Sequence, residues 1–223
     1  MLDISSNIEF SFYVTFVFLT TTATITFIEA MRTSDNMVRH ILNLETVISV
    51  IAAYFYNVFI TDIKEKKSQN KVIDWKQTTL LRYLDWSLTT PFMLLSLCLF
   101  LSYNTKTKLK LFIILPICIL NYLMLYIGYL GEQNMMSRLN ACLLGFIPLF
   151  VMLGIIYNTY IVNCRHFINK FIFYIFLVVW SLYGIAYMMD DVTKNIIMNM
   201  LDLIAKAFIG IGMWLYYINV IHL

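Results

Sequence analysis

Residues 111–130 read LFIILPICILNYLMLYIGYL, twenty positions without one charged side chain. A helix rises about 1.5 Å per residue, so about 20 apolar residues cross roughly 30 Å of hydrocarbon. A barrel strand would show short alternating segments, and this run is long and continuous. It reads as a membrane-crossing helix within a span of 108–130. Polar breaks bound six comparable runs at 8–31, 37–60, 77–102, 137–158, 167–189 and 195–221. The expected fold is an all-α integral membrane protein. It is a seven-transmembrane-helix bundle in which residues 1–223 form one domain.

The rest of the chain agrees. Of 223 residues, 61% are hydrophobic and 13% charged, against about 45–50% and about 25% in a soluble domain. That balance excludes an ordinary cytosolic enzyme, a nucleic-acid binder and a disordered chain. The predicted partner is the lipid bilayer. Cys98, Cys118, Cys142 and Cys164 form no C-x-x-C pair, so no metal site or disulfide framework is expected. Met1-Leu2-Asp3 lacks the basic start of a cleaved signal peptide.

An odd number of spans puts the termini on opposite sides. The cation bias does not choose between them. Arg32, Arg39, Lys106, Lys108, Lys110, Arg165 and Lys170 follow odd-numbered spans; Lys64, Lys66, Lys67, Lys71, Lys76, Arg138 and Lys194 follow even-numbered ones.

The informative residues are the charges inside spans: Glu45, Arg82, Asp85, Asp202 and Lys206. Each costs about 2.5–3.5 kcal/mol at the bilayer centre on insertion scales, so such residues face the bundle interior and mark functional sites. Helical spacing aligns Arg82, Asp85, Thr89 and Ser96 in a polar stripe along the third span. In the seventh, Asp202 and Lys206 lie four apart and share a face. One reading is buried ion pairs that only fix packing. The sharper one is a lysine in an apolar pocket, stabilised by Asp85 and Asp202, that attacks a carbonyl carbon to form a Schiff base.

Two segments carry a resemblance. Arg82-Tyr83-x-Asp85-Trp86-x-x-Thr89-Thr90-Pro91 is similar to the third-helix signature of the microbial (type 1) rhodopsins, and Asp202-x-x-x-Lys206 to their seventh-helix signature. Weaker agreement covers Asn121, Met124 and Gly128 in span four and Trp180, Tyr183 and Tyr187 in span six. The short loops resemble the viral branch. The resemblance implies all-trans retinal bound to Lys206 as a protonated Schiff base, isomerised by light to 13-cis. It implies Asp85 as counter-ion and proton acceptor. Asp202 is then the second counter-ion, held by Tyr183 and Tyr56, and Arg82 lies on the extracellular side of the pair. Trp86 and Trp180 clamp the polyene. Thr90, Met93, Met124 and Gly128 shape the pocket, and Ala205 adjoins the lysine. Met93 suggests green rather than blue absorption. The resemblance also implies an extracellular N-terminus and a homo-oligomer, a trimer or pentamer. Two positions depart from the family: Gly184 replaces a span-six proline and Tyr187 a tryptophan, which leaves the ring end of the pocket open to question.

The three positions that diagnose transport are Asp85, Thr89 and Ser96. The first two are those of an outward proton pump. The third lacks the carboxyl that usually returns a proton to the Schiff base. Glu45, level with Ser96 on span two, is the candidate donor; otherwise it is a helix-entry acid facing water or Arg39. The expected function is a light-driven outward proton pump, with protons as cargo. The alternative is a light-gated cation channel whose path is lined by Thr15, Thr22, Glu45, Asn57 and Asn199. A photosensor is the third reading, weakened by the lack of a long tail after His222-Leu223. Asp190 and Asp191 are either proton-release acids or a solvated loop. His40, His166, His222 and Trp75 read as interfacial side chains.

Overall fold

The computed structural model describes residues 4–218, with side chains from 7 to 218. Seven helices cross the molecule. They are α1 (Ile4–Arg32), α2 (Asn36–Ser68), α3 (Trp75–Thr105), α4 (Leu111–Glu132), α5 (Arg138–Tyr160), α6 (Phe167–Tyr187) and α7 (Asp191–Tyr217). All seven are long and apolar enough to span a bilayer, so the protein is an integral, multi-pass membrane protein. His222 lies outside the described residues.

Local chemistry sets several helix starts. Asp35, Asp74, Ser137 and Asp190 each accept a backbone N–H of the first turn, capping α2, α3, α5 and α7. α3 ends on Lys106 in the left-handed region, φ 53°, which stops the helix before α4. α2 runs to Ser68, eight residues beyond the expected end at 60. Residues 61–68 are polar apart from buried Ile63 but helix-forming, and Lys66 pairs with Asp62 one turn away at 2.9 Å. Hydropathy reads where hydrocarbon ends, which is not where a helix ends.

Successive helices pack side by side, and α1 closes the ring against α7. The largest core cluster, which includes Ile48, Leu97, Phe100, Met152, Phe176 and Trp180, runs from α2 through α7. A second, around Phe12, Tyr56 and Phe59, joins α1 and α2. Outward faces stay apolar: Phe112, Ile147, Phe150 and Val178 are all exposed. Such a surface belongs against lipid.

α7 is irregular where it matters. Residues Leu203–Phe208 form one π-helical turn, with Lys206 inside it. Thr15 Oγ1 reaches the Asn199 carbonyl at 3.2 Å and Thr22 Oγ1 the Ala207 carbonyl at 3.4 Å. These contacts tie α1 to α7 around the widened turn. Such turns recur at functional sites because they re-aim one side chain within a helix.

Candidate functional site

Lys206 is buried at the centre. Its Nζ lies 2.6 Å from Asp85 Oδ2 and 3.6 Å from Asp202 Oδ2. Both carboxylates are fully buried. The stripe expected along α3 therefore exists: Arg82, Asp85, Thr89 and Ser96 all point inward.

The two acids differ in their other partners. Asp202 Oδ1 accepts Tyr183 Oη at 2.5 Å and Trp86 Nε1 at 3.3 Å. Its Oδ2 accepts Tyr56 Oη at 2.8 Å and Arg82 Nη1 at 3.4 Å. Asp85 has Lys206, and its Oδ1 has no hydrogen-bond partner among the described residues. Thr89 does not reach that carboxylate; its hydroxyl donates to the Asp85 main-chain carbonyl at 2.9 Å.

Arg82 is caged. Nη2 donates to Asn195 Oδ1 at 3.0 Å and Asn199 Oδ1 at 2.8 Å. Its guanidinium carbon lies 5.3 Å from the Phe59 ring centre, 5.7 Å from Phe12 and 5.9 Å from Tyr56. These are cation–π distances. Asn195 and Asn199, four apart on α7, carry no charge and drew no attention in the sequence beyond a place for Asn199 on a polar path.

From Lys206 a cavity extends between α3, α4, α5 and α6. Trp86, Thr90, Met93, Met124, Gly128, Trp180, Tyr183 and Tyr187 line it, as expected. Thr90 also accepts Asn121 Nδ2 at 2.8 Å, joining α3 to α4. Two expected members are elsewhere. Tyr56 is off the cavity wall because it turns to Asp202. Ala205 is buried in the core and likewise off the wall, because the π-turn presents Lys206 there. The wall also contains Ala141, Cys142, Gly145, Phe146 and Leu149 of α5, which the sequence reading missed. Ala141, Gly145 and Leu149 recur every four residues, a stripe that reads equally well as ordinary helix packing.

The departures in α6 reshape the far end. A Cβ on Gly184 would run into the Phe146 ring, so glycine admits that ring to the wall. Tyr187 Oη donates to the Gly128 carbonyl at 3.0 Å. At Gly128 a Cβ would come within 2.7 Å of Tyr83 Oη. An amine at one end of a long, largely apolar cavity with aromatic walls suits a slender conjugated aldehyde. The residues present fit retinal.

Beyond Lys206, Ser96 Oγ donates to Glu45 Oε1 at 2.5 Å. Both residues are buried, so Glu45 faces neither water nor Arg39. Thr15, Thr22 and Asn199 are buried too, whereas Asn57 is exposed on the outer face of α2 and belongs to no interior path.

A further buried cation corrects the sequence reading. Lys194, assigned to a loop, lies in the first turn of α7 and is 2% exposed. It lies 3.1 Å from both carboxylate oxygens of Glu132 and 3.0 Å from Asp191. Arg138 lies 3.4 Å from Glu132 and 3.6 Å from Asp191. Asp191 is thus ion-paired and Asp190 is a helix cap. His40 and His166 are exposed near helix ends, and Trp75 opens α3.

A seven-span bundle with a lysine buried between two carboxylates at the end of an apolar cavity defines a class of membrane protein that holds a chromophore on a lysine. The sequence model of the bacteriorhodopsin-like proteins matches residues 6–220, and the chain belongs to that family, the microbial (type 1) rhodopsins. The crystal structure of viral rhodopsin OLPVRII is 40% identical, covers 96% of this chain and 99% of its own, and superposes with a TM-score of 0.87. That likeness sets the chain in the viral branch. Xanthorhodopsin, described as a light-driven ion pump with dual chromophore, is 20% identical with a TM-score of 0.78, over 96% of this chain and 93% of its own. The green-light absorbing proteorhodopsin of Gamma-proteobacterium EBAC31A08 is 26% identical over 152 residues, 61% of this chain and 60% of that protein. The chain thus matches about three fifths of that relative's length. Members of the family carry retinal on a lysine and act as light-driven pumps, channels or sensors, not as classical enzymes.

Proposed function

We propose that the protein is a light-driven outward proton pump in which residues 1–223 work as one unit. The observation that carries this reading is a pair of separate buried carboxyl sites. Asp85 lies 2.6 Å from Lys206 Nζ, and Glu45 is hydrogen-bonded to Ser96 further along α3. All-trans retinal joined to Lys206 would supply light absorption and a light-driven change of shape at the lysine nitrogen.

The residues divide the remaining work. Trp86 on α3 and Trp180 on α6 would hold the chain of the chromophore with their apolar rings, while Thr90, Met93, Met124, Gly128 and Tyr187 set the shape of its pocket. Asp85 accepts the proton from the nitrogen, because its Oδ2 is the carboxylate oxygen that lies 2.6 Å from it. Asp202, with four donors besides Lys206, stays charged as the fixed counter-ion. Arg82, caged by rings and amides, is a stationary positive charge beside it. Glu45 then returns a proton to the nitrogen and is reloaded from the cytoplasmic side, while the proton held by Asp85 leaves on the extracellular side. Its Oε1 is taken by Ser96, which leaves Oε2 as the transferable site. A carboxyl in that role replaces the acid that Ser96 lacks.

For this cycle to run outward, the N-terminus is extracellular and the Glu45 half faces the cytoplasm. The apolar outer faces leave room for a homo-oligomer in the bilayer, a trimer or pentamer, without defining its contacts.

Light-driven current measured against voltage tests the reading. A pump gives outward current at zero gradient, without reversal at the proton equilibrium potential. Passive reversal at an ion's equilibrium potential would reject the pump in favour of a cation channel.

A further inference from the structure

The Glu45 carboxyl is packed from three helices. Ser96 of α3 holds Oε1 at 2.5 Å, and the Ser96 hydroxyl also lies 3.8 Å from Met213 Sδ. Opposite, α7 presents Gly210. A Cβ built there would stand 3.0 Å from Glu45 Oε2, 3.7 Å from Glu45 Cβ and 2.9 Å from Thr22 Cγ2 of α1. Carbon contacts are comfortable at about 3.5–4.0 Å, so a single methyl group cannot enter without displacing the acid or the threonine. Thr22 has little freedom to yield. It is β-branched, and its hydroxyl bonds the Phe18 carbonyl at 2.8 Å within its own helix.

Gly210 has no positive φ to explain it. It lies two residues beyond the π-turn, in regular helix, where alanine forms helix better than glycine. Its reason is the space it leaves. Gly212, two residues on, has nothing within 4 Å of its would-be Cβ.

We propose that Gly210 is a positioning residue for Glu45: by lacking a side chain it opens the face of α7 to Oε2, and together with Thr22 and Ser96 it forms the seat that holds this carboxyl. The proposal rests on the reading of Glu45 as proton donor only for its functional consequence, since the seat itself is geometry.

The test uses the full-length protein with retinal in lipid and two readouts. The first is the dark-state infrared band that Glu45→Gln abolishes, which reports the surroundings of that carboxyl. In Gly210→Ala this band shifts, in Gly212→Ala it stays, and adding Thr22→Ser to Gly210→Ala moves it back toward the original position. A retained visible band shows that the variant folds. An unmoved Glu45 band in Gly210→Ala, or an equal shift in Gly212→Ala, overturns the proposal. The second readout is the rate at which the lysine nitrogen regains its proton after a flash. A misplaced donor slows it by about ten- to a hundredfold in Gly210→Ala. If the band shifts while Glu45→Gln itself recovers at the normal rate, the seat is upheld and the donor reading falls.

Discussion

Asp85 and Asp202 are the same side chain beside the same lysine, and their difference comes from everything else that reaches them. Four donors from four side chains converge on Asp202, while among the described residues none donates to Asp85 Oδ1. Replacing Lys206 by alanine should abolish the visible band formed on adding all-trans retinal, because the amine that lines the cavity is gone. It should also destabilise the apoprotein, by about 3–5 kcal/mol, since buried Asp85 loses its cation while Asp202 keeps Arg82. Thermal unfolding of Lys206→Ala against Lys206→Ala/Asp85→Asn measures this, and the second variant should recover part of the loss. Glu45→Gln should keep the band and slow recovery of the nitrogen's proton by about 10²-fold or more, the usual contribution of a placed general acid. Flash spectroscopy decides it; recovery at the original rate would remove Glu45 from the cycle. The charged residues inside the spans were legible in the sequence because charge in an apolar run is conspicuous. Asn195 and Asn199 were not identified as partners of Arg82, because a neutral amide near a helix end carries no such cost.

At the scale of elements, the helix starts depend on a few polar side chains. Asp35 caps α2, accepting Met37 N at 2.8 Å and Val38 N at 3.2 Å, and it also accepts the hydroxyl of Tyr103 from α3 at 3.0 Å. Burial pushes its carboxyl up, but the hydrogen bonds from Val38, Tyr103 and Met37 outweigh it and hold the carboxyl below its ordinary value of 3.8. A group depressed on folding stabilises the fold fully above its unfolded pKa and loses that contribution as pH falls through the folded one. Melting temperature should therefore drop on acidification below that ordinary value, and the part due to Asp35 should vanish in Asp35→Asn. Asp35→Ala should cost about 0.5–2 kcal/mol at neutral pH, toward the lower end for a partly exposed cap. Melting curves at several pH values check both. The seven spans were readable from hydropathy, but their ends were not. α2 continues through eight residues of which all but Ile63 are polar, and α7 starts early enough to bury Lys194. The π-turn left no mark in the sequence, since its residues are ordinary helix formers.

For the whole molecule, the ion cluster of Glu132, Arg138, Asp191 and Lys194 joins the adjacent ends of α4, α5 and α7. Lys194→Met should destabilise the protein toward the low end of about 3–5 kcal/mol, because Glu132 stays buried and keeps the more distant Arg138 at 3.4 Å. Lys194→Met with Glu132→Gln should lose markedly less, and a double-mutant cycle of unfolding free energies measures the coupling. Additive losses would show that the pair is not coupled. By itself the sequence determined the membrane, the helical class, the number of spans and the lysine with its acids. Those follow from solvent cost: a long apolar run or a charge inside it has few physical solutions. Packing between helices set how many side chains reach each acid, that Glu45 reaches Ser96, that α5 supplies a cavity wall and that Lys194 is buried. Those facts depend on which faces of different helices meet, and a single chain's periodicity does not specify that rotation.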